Sequence, residues 1–588
     1  MLYHLAKYSE SLDLNSRPGY SRKKIAAIIT IDVDGKILQA EPVQVSMVSP
    51  SLSQPELIFG GKKRSHFLVD SAATVTGWGN ENSIEKHRAF VEIHQEAALH
   101  VQDLIPLSLA LNDDENIDAL IQKLAMIDVK QNENITFKLA GDDRCIIEQD
   151  SWRTWWEQYR ASLSANQSSS PMRCFVTGQL VNPILTHPKL NLSRVGGQST
   201  GSSLIGFDKD AFSSYGLQQS HNASCSEEAA AIYTDALTHL MGQAPRPLAN
   251  TYMLHWLDKQ VPPKEDPFLF LSETMEKGDD SNQSTVMDGA LQLSEAAQKG
   301  NKHNMVGNKY HVILLSGAAG RAMIRGVFEG ELTELYPHIN DWLDDLSIVS
   351  PYGGDIAKPP QLYALLIRIL PFRQGISGKN LQDEMDRHAA PLLTCIWSSI
   401  LQSAPFPQEA AYKALQYIKS RLACSKENEK EQGHKNIDRI ACAVLKLWHN
   451  RAARNGLSGS RDVYIGQKLD VEFLAQAYHV GRLIAVLNYL QQSALGYIQA
   501  DIKQQFFSMA SVAPGLIVGR LIDESEEHLS RLQMDGEVDL HIQFQQMITD
   551  IVARLDMKTL IQFSFVEQVQ FVLGYYHQNA FLSEECCA

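Results

Sequence analysis

The chain has 588 residues, with 53 Lys and Arg against 68 Asp and Glu, a net charge of −15. Hydrophobic residues make up 44% and aromatic residues 8%, enough apolar side chain for a large core, which excludes a disordered chain. The charge excludes a protein that holds polyanions by bulk positive potential, but leaves room for a local cationic surface.

In chain order, KIAAIITIDV (24–33) is a β-branched run, and Asp34-Gly35 is a hairpin turn signal. KILQAEPVQVSMV (36–48) supplies the return strand, interrupted by Pro42. EKHRAFVEIHQEAALHVQDL (85–104) predicts a helix. ITFKL (135–139) and RCIIE (144–148), separated by Gly-Asp-Asp, predict a second hairpin. Ser151 caps a predicted helix in which Trp152, Trp155, Trp156 and Tyr159 recur at helical spacing, a pattern of core residues.

SANQSSS (164–170) reads as a loop, and PMRCFVTG (171–178) as a strand entering a Gly/Ser-rich stretch. Ser226-Glu227-Glu228 opens a helix running to about Met241, with acidic residues complementing its N-terminal dipole. NTYMLHWLD (250–258) predicts a strand, and the polar residues 260–308 a linker or insertion. NKYHVILLSG (308–317) and AMIRGVFEG (322–330) predict a strand pair, followed by a helix over 331–346 containing Pro337. Beyond about residue 360, helical periodicity replaces strand signals and predicts a bundle.

The expected fold class is α+β: mixed α/β N-terminal and middle parts, then an all-α C-terminal helical bundle. The expected boundaries are an N-terminal α/β domain over 1–150 and a mixed α/β domain over 151–355 with its insertion near 260–308. A helical segment over 356–466 and a helical bundle over 467–588 follow. Charge is uneven along these parts. Residues 351–466 hold 16 basic and 10 acidic residues, whereas 467–588 hold 7 and 15.

The N-terminal sequence has no continuous apolar core of a secretory signal, and no run approaches the ~18 apolar residues of a membrane span. The eight cysteines are scattered with no C-x-x-C pair, so neither a zinc ribbon nor a disulfide framework is expected. A reducing cytoplasm, no membrane partner, no metal and no cofactor are the corresponding expectations.

Searches for a reaction centre give little. No phosphate-loop motif with its lysine and no H-E-x-x-H occurs. Gly197-Gln198-Ser199-Thr200-Gly201 fits the G-x-S-x-G nucleophile elbow formally, but lacks the strand before it and the helix after it. His87 and His94 are two helical turns apart without a Cys or Asp cluster, which favours surface or core roles over metal ligation. Glu227 and Glu228 are more simply a helix start than an acid/base pair. No catalytic residue is expected, and a binding or assembly protein is.

Three stretches suit phosphate. Gly60-Gly61-Lys62-Lys63-Arg64 joins backbone freedom to three consecutive cations. Arg194-Val-Gly-Gly-Gln198-Ser199-Thr200-Gly201 offers a cation, amides and hydroxyls, with His187, Pro188 and Lys189 upstream. Arg321 and Arg325, beside the turn Gly317-Ala-Ala-Gly320, project to one face if 321–328 is a strand. Arg22, Lys23 and Lys24 form a weaker basic triplet framing the first strand. For the three stretches in turn, a solvated turn, a flexible loop and a solvated strand face are the plain alternatives.

Several long segments, in order, resemble the large subunit of the type I-C CRISPR Cascade surveillance complex. MRCFVTGQLVNPILTHPKL…RVGGQSTGSSLIGFDKDAFSSYG (172–216) resembles that family's C-x-x-T-G…H-P-K…G-G-Q-S-S-G…A-F-x-S-Y-G stretch. NASCSEEAAAIYTDAL (222–237) and YHVILLSGAAGRAMIRG (310–326) continue the likeness, as do YHVGRLIAVLNYLQQSALG (478–496) and EQVQFVLGYYHQ (567–578). Two positions depart: Ala318 and Ser71 stand where the family's pattern has asparagine. Trp78, Asn80 and Asn82 fall where the family reads the adjacent motif, without a residue-level match.

The resemblance implies a non-catalytic subunit that sits at the guide RNA 5′ handle. Such a subunit recognises the protospacer-adjacent motif on double-stranded DNA and promotes duplex opening and R-loop formation. It recruits a separate helicase–nuclease and works beside the backbone, handle-binding and small Cascade subunits. Lys62, Lys63 and Arg64 would then grip DNA phosphates. Arg194, Gln198, Ser199 and Thr200 would hold nucleic-acid backbone or the guide's 5′ handle, and Arg321 and Arg325 would do likewise or brace that site. The resemblance also implies a small subunit matching 467–588. No methionine lies between Met385 and Met509, so either an internal start near residue 467 uses another codon or the source lacks that product. Two other readings remain open: an assembly scaffold or adaptor without DNA contact, and an enzyme using Ser199, His187 or the glutamates at 227–228.

Overall fold

The computed structural model describes the chain except residues 13–17, 53, 58–62, 80, 165–169, 263–265, 274–305, 374, 424–436, 457–463, 497–499 and 588. Residues 165–169 of the predicted loop and most of the polar stretch at 260–308 therefore lie outside the described residues, while Ser164 ends the helix Arg153–Ser164. The chain divides into two compact units. The first comprises Met1–Ser193, Gly197–Gly242 and Ala318–Ala322; the second comprises Arg194–Gly196, Gln243–Gly317 and Met323–Ala588.

In the first unit, β1 (Tyr20–Ile31) and β2 (Ile37–Pro50) form the predicted antiparallel hairpin. Ile25, Ala27, Ile29 and Ile31 alternate into the core, as a strand period requires. β2 is an edge strand, so Pro42 forfeits no inner ladder bond, and the register shifts beside it, between Ile25 and Ala27. β3 (Asp70–Ser71) and β4 (Asn134–Leu139) complete the sheet in the order β2-β1-β4-β3. β4 runs parallel to β1, and the crossover carries the helices Glu81–Ala98 and Asp114–Met126.

The second predicted hairpin does not form. Both edges of β4 are taken, by β1 and by β3, so no edge remains for a return strand. Residues 146–148 instead make a 3₁₀ turn whose Glu148 carboxylate accepts the Cys145 amide at 2.8 Å, while Ile146 and Ile147 are buried. The tryptophans are core, as their spacing predicts. Trp152, Trp155 and Trp156 are buried around Phe67, which stacks on Trp156 at 5.4 Å between ring centroids.

The remainder of this unit is built from short pieces. The strand predicted at 171–178 is two residues long. β5 (Met172–Arg173) pairs with β6 (Leu180–Val181), and Cys174–Gly178 turns between them because Gly178 N–H donates to Cys174 O at 2.8 Å. β7 (Lys189–Leu190) pairs with β8 (Ser202–Ser203). The helix Glu227–Gln243 starts as predicted, with Ser226 Oγ accepting the Ala229 amide at 3.1 Å.

In the second unit, β9 (Tyr252–Leu257) pairs antiparallel with β10 (Lys309–Ala318), which lies between β9 and β11 (Arg321–Glu331); β10 belongs to this unit as far as Gly317, and β11 from Met323 onward. Leu332–Leu346 is one helix with Pro337 inside it. No strand follows residue 357 among the described residues. The bundle centres on Gln476–Leu495, buried almost continuously from Ala477 to Leu490, and on Phe565–Cys587 and Arg439–Arg454. Asp345, inaccessible, faces Arg451 across a 3.0 Å charge pair, with Arg454 3.3 Å away. The α+β class is thus the one predicted.

Candidate nucleic-acid interface

The glycine-rich loop of the first unit is built on buried anchors. Leu190 and Leu192 are in the core. A Cβ at Gly197 would lie 2.7 Å from both Leu192 Cβ and Ser202 Oγ, and Gly201 has φ +93°. Both positions therefore need glycine.

This loop meets the chain reversal at Ala319–Arg321. Gln198 N–H donates to Ala319 O at 3.1 Å, Ser203 N–H to Gly320 O at 2.9 Å, and Ser202 Oγ to Ala319 O at 3.3 Å. Gly197 N–H and Gly201 N–H are bonded inside the loop, to Leu192 O and Gln198 O. The sequence suggested an amide cradle, but these four amides are occupied. What the loop offers to a ligand is the exposed side chains of Gln198, Ser199 and Thr200. Arg321 lies on the same edge, paired with Ser203 in the ladder. Its guanidinium is 3.3 Å from Asp208, and both groups are more than half exposed. An ion pair that open is worth at most about 1 kcal/mol, so a phosphate can displace the carboxylate.

The other predicted residues sit elsewhere. Lys62 lies outside the described residues. Lys63 is exposed and bonds Glu85, holding that carboxyl below its usual range, and reaches Asn82 at 3.4 Å. Arg64 is half-buried, with its guanidinium on Glu56 O at 3.3 Å. Arg194 and Arg325 belong to the second unit. Arg194 lines a cleft of about 610 Å³ with Arg246, Asn250, Tyr252 and Gln382. Arg325 stands on the exposed face of β11 beside Met323 and Val327, donating to Ser316 Oγ at 2.8 Å.

Sequence reading missed some cations. Lys86 and Arg88 are exposed on the helix that carries Glu85, and Arg88 acts electrostatically on Glu85 as Lys63 does. They are separated from Lys63 by more than 20 positions, so no run of charge signals them. Arg246 stands alone between two prolines. Upstream of Trp78, Phe67 and Asp70 are structural: Phe67 is buried. Asp70 accepts the His66 amide at 3.0 Å, and Ser71 caps the helix Ala72–Thr76. Trp78, half-exposed, lines a cleft with Lys130, Gln131 and Asn132. Asn80 lies outside the described residues.

Of the enzyme candidates, Ser199 and Glu228 are exposed, whereas His187 and Glu227 are engaged in structure, as are the two helix histidines. His187 uses Nδ1 on Tyr233 OH at 2.8 Å and Nε2 on Ala223 O at 3.1 Å. Glu227 binds Arg160. His87 Nδ1 lies 2.7 Å from Val75 O, and His94 is buried. Among the described residues no group of three His, Cys, Asp or Glu is placed to hold a metal. No described helix is long and apolar enough to cross a membrane.

No curated protein matches the chain. One family model does, that of CRISPR-associated protein (Cas_Csd1), and the match runs over residues 4–582. A match over nearly the whole length, through both units, accords with the order of segments read from the sequence, and the chain belongs to the Cas_Csd1 family, the large-subunit family of type I-C CRISPR Cascade.

Proposed function

We propose that the chain is a non-catalytic Cascade subunit that binds the guide RNA 5′ handle region and recognises the protospacer-adjacent motif on double-stranded DNA. It would then promote duplex opening and R-loop formation and recruit a separate helicase–nuclease. The observation that carries the reading is the convergence of Gln198, Ser199, Thr200 and Arg321 on one exposed edge, although Arg321 lies more than 120 positions down the chain. Side-chain donors and one loosely held cation suit a phosphate backbone, which positions nucleic acid without reading sequence. Lys63, with Lys62 and Arg64, supplies a second cationic group, and Lys86 and Arg88 extend it. The half-exposed Trp78 beside Lys130, Gln131 and Asn132 has the chemistry for base contact. Arg194, with Arg246, and Arg325 are further backbone contacts.

The test is binding of the assembled complex to a target duplex across a salt series. Reversing Lys62, Lys63 and Arg64 to Glu should weaken binding at least tenfold at low salt and reduce the salt slope by about 2 to 3. Arg321→Glu should lower affinity for guide RNA or duplex with a slope loss of about 1. Unchanged affinities in both variants would remove the nucleic-acid contacts and leave a scaffold.

A further inference from the structure

Cys174 and Cys225 are 51 positions apart in sequence, yet their Sγ atoms lie 4.0 Å apart, both buried. Backbone bonds already register the two segments. Phe175 N–H donates to Ser224 O at 2.9 Å, and Ile184 N–H donates to Cys225 O at 3.0 Å. A disulfide is about 2.05 Å long, so bonding requires roughly 2 Å of side-chain movement. Both cysteines are essentially inaccessible, but the turn that follows Cys174 is solvent-facing: Phe175, Thr177 and Gly178 are all exposed.

The two sulfurs are chemically unequal. Burial raises the Cys174 thiol, but hydrogen bonds from the Thr177 side chain and from the amides of Thr177, Ser226 and Val176 outweigh it, bringing it down to about 7. Burial pushes Cys225 well up, and the neighbouring Cys174 adds to that. A thiolate beside a thiol is the arrangement of an attacking and a resolving cysteine. No third His, Cys, Asp or Glu among the described residues joins them as a ligand set, so the pair points to redox chemistry.

We infer that Cys174 and Cys225 form a peroxide-sensitive dithiol that closes reversibly to an intramolecular disulfide. The Cys174 thiolate attacks one oxygen of hydrogen peroxide. The O–O bond breaks, hydroxide leaves, and Cys174 becomes a sulfenic acid. Cys225 sulfur then attacks Cys174 sulfur; the S–O bond breaks, and water leaves with the Cys225 proton. Two thiols are oxidised and one peroxide is reduced. Exchange with an external dithiol restores both thiols. The closed loop encloses Gln198–Thr200 and ties the 174–178 turn to the start of the helix Glu227–Gln243. The inference stands on the two sulfurs and is independent of the nucleic-acid reading.

The reduced full-length chain is treated with near-stoichiometric hydrogen peroxide, its remaining thiols are alkylated under denaturing conditions, and it is digested without reductant for mass spectrometry. The expected product is a Cys174–Cys225 cross-linked peptide, two hydrogens lighter than the free pair, abolished by dithiothreitol and absent from Cys174→Ser. In Cys225→Val, where nothing resolves the intermediate, a 1,3-dione reagent should label Cys174. Recovery of both cysteines as alkylated thiols, at doses that oxidise the exposed Cys395, overturns the inference. So does Cys225→Val with Cys174 unlabelled.

Discussion

Leu68 has a left-handed backbone, φ +61°, a conformation costing a non-glycine residue roughly 1–2 kcal/mol. It is held there by His94, whose Nε2 accepts the Leu68 amide at 3.1 Å while Nδ1 sits 2.7 Å from Phe90 O. Donation to Phe90 puts the proton on Nδ1 and leaves Nε2 as the acceptor, so the ring must be neutral. Burial lowers its pKa to about 4, against smaller upward effects of the Phe90 bond and Asp70. The folded value lies below the unfolded value near 6.5, so the native state binds fewer protons than the unfolded state between them. The stability from His94 is full above about pH 6.5 and is lost as pH falls through 4, up to ~3 kcal/mol. Urea unfolding at a series of pH values should therefore weaken steadily below pH 6.5. His94→Gln should shed about one proton from that dependence, because glutamine can accept the amide bond without titrating. An unaltered pH slope in His94→Gln would show that the ring is not the proton acceptor.

At the scale of elements, the C-terminal bundle depends on two glycines. A Cβ built on Gly481 would overlap Phe571 O, and one on Gly574 would overlap Tyr478 O. The helices Gln476–Leu495 and Phe565–Cys587 therefore cross backbone against backbone, and Tyr478 OH reaches His577 Nδ1 at 2.8 Å beside the crossing. Gly481→Ala or Gly574→Ala should force the helices apart and cost about 1–3 kcal/mol or more. Gly519, also in a helix, has open space around it, and Gly519→Ala should gain about 0.5–1 kcal/mol. Thermal unfolding of the three variants separates the two cases, and a stabilised Gly481→Ala would refute the close crossing. Both crossing glycines lie in segments whose resemblance to a known family was legible in the sequence, but the reason for them was not. Helical period shows which residues face inward; it does not show which partner backbone they meet. The false hairpin at 144–148 fails for the same reason. Its residues suit a strand, and only the pairing of β4 with β1 and β3 removes the edge they need. Trp152, Trp155 and Trp156 were readable because spacing alone places them on one face.

Over the whole molecule, net charge and site are compatible once the count of available cations is considered. Lys63, Gln198, Ser199, Thr200 and Arg321, which the sequence singled out, are exposed, but no sequence pattern shows that Arg321 joins Gln198, which depends on a tertiary meeting of Gly197–Ser203 with Ala319–Arg321. It overstated the loop's amides and overlooked Lys86, Arg88 and Arg246, which no local run announces. The outcome is a chain of −15 charge carrying a few small cationic groups. Each phosphate neutralised contributes about −0.9 to the logarithmic salt slope on duplex DNA. If Lys62, Lys63, Arg64 and Arg321 are the main contacts, the isolated chain should bind duplex with a slope of about −4 or shallower. Its nonspecific affinity should be correspondingly weak, because the remaining acidic surface repels phosphate at low ionic strength. Titration of the isolated chain with a random duplex between about 50 and 200 mM salt measures this directly. A slope of about −8 or steeper would require twice as many phosphate contacts as these groups provide and would move the interface away from them. A shallow slope in the isolated chain that steepens on assembly with guide RNA would place much of the backbone grip on the partner subunits, which the small number of cations here leads us to expect.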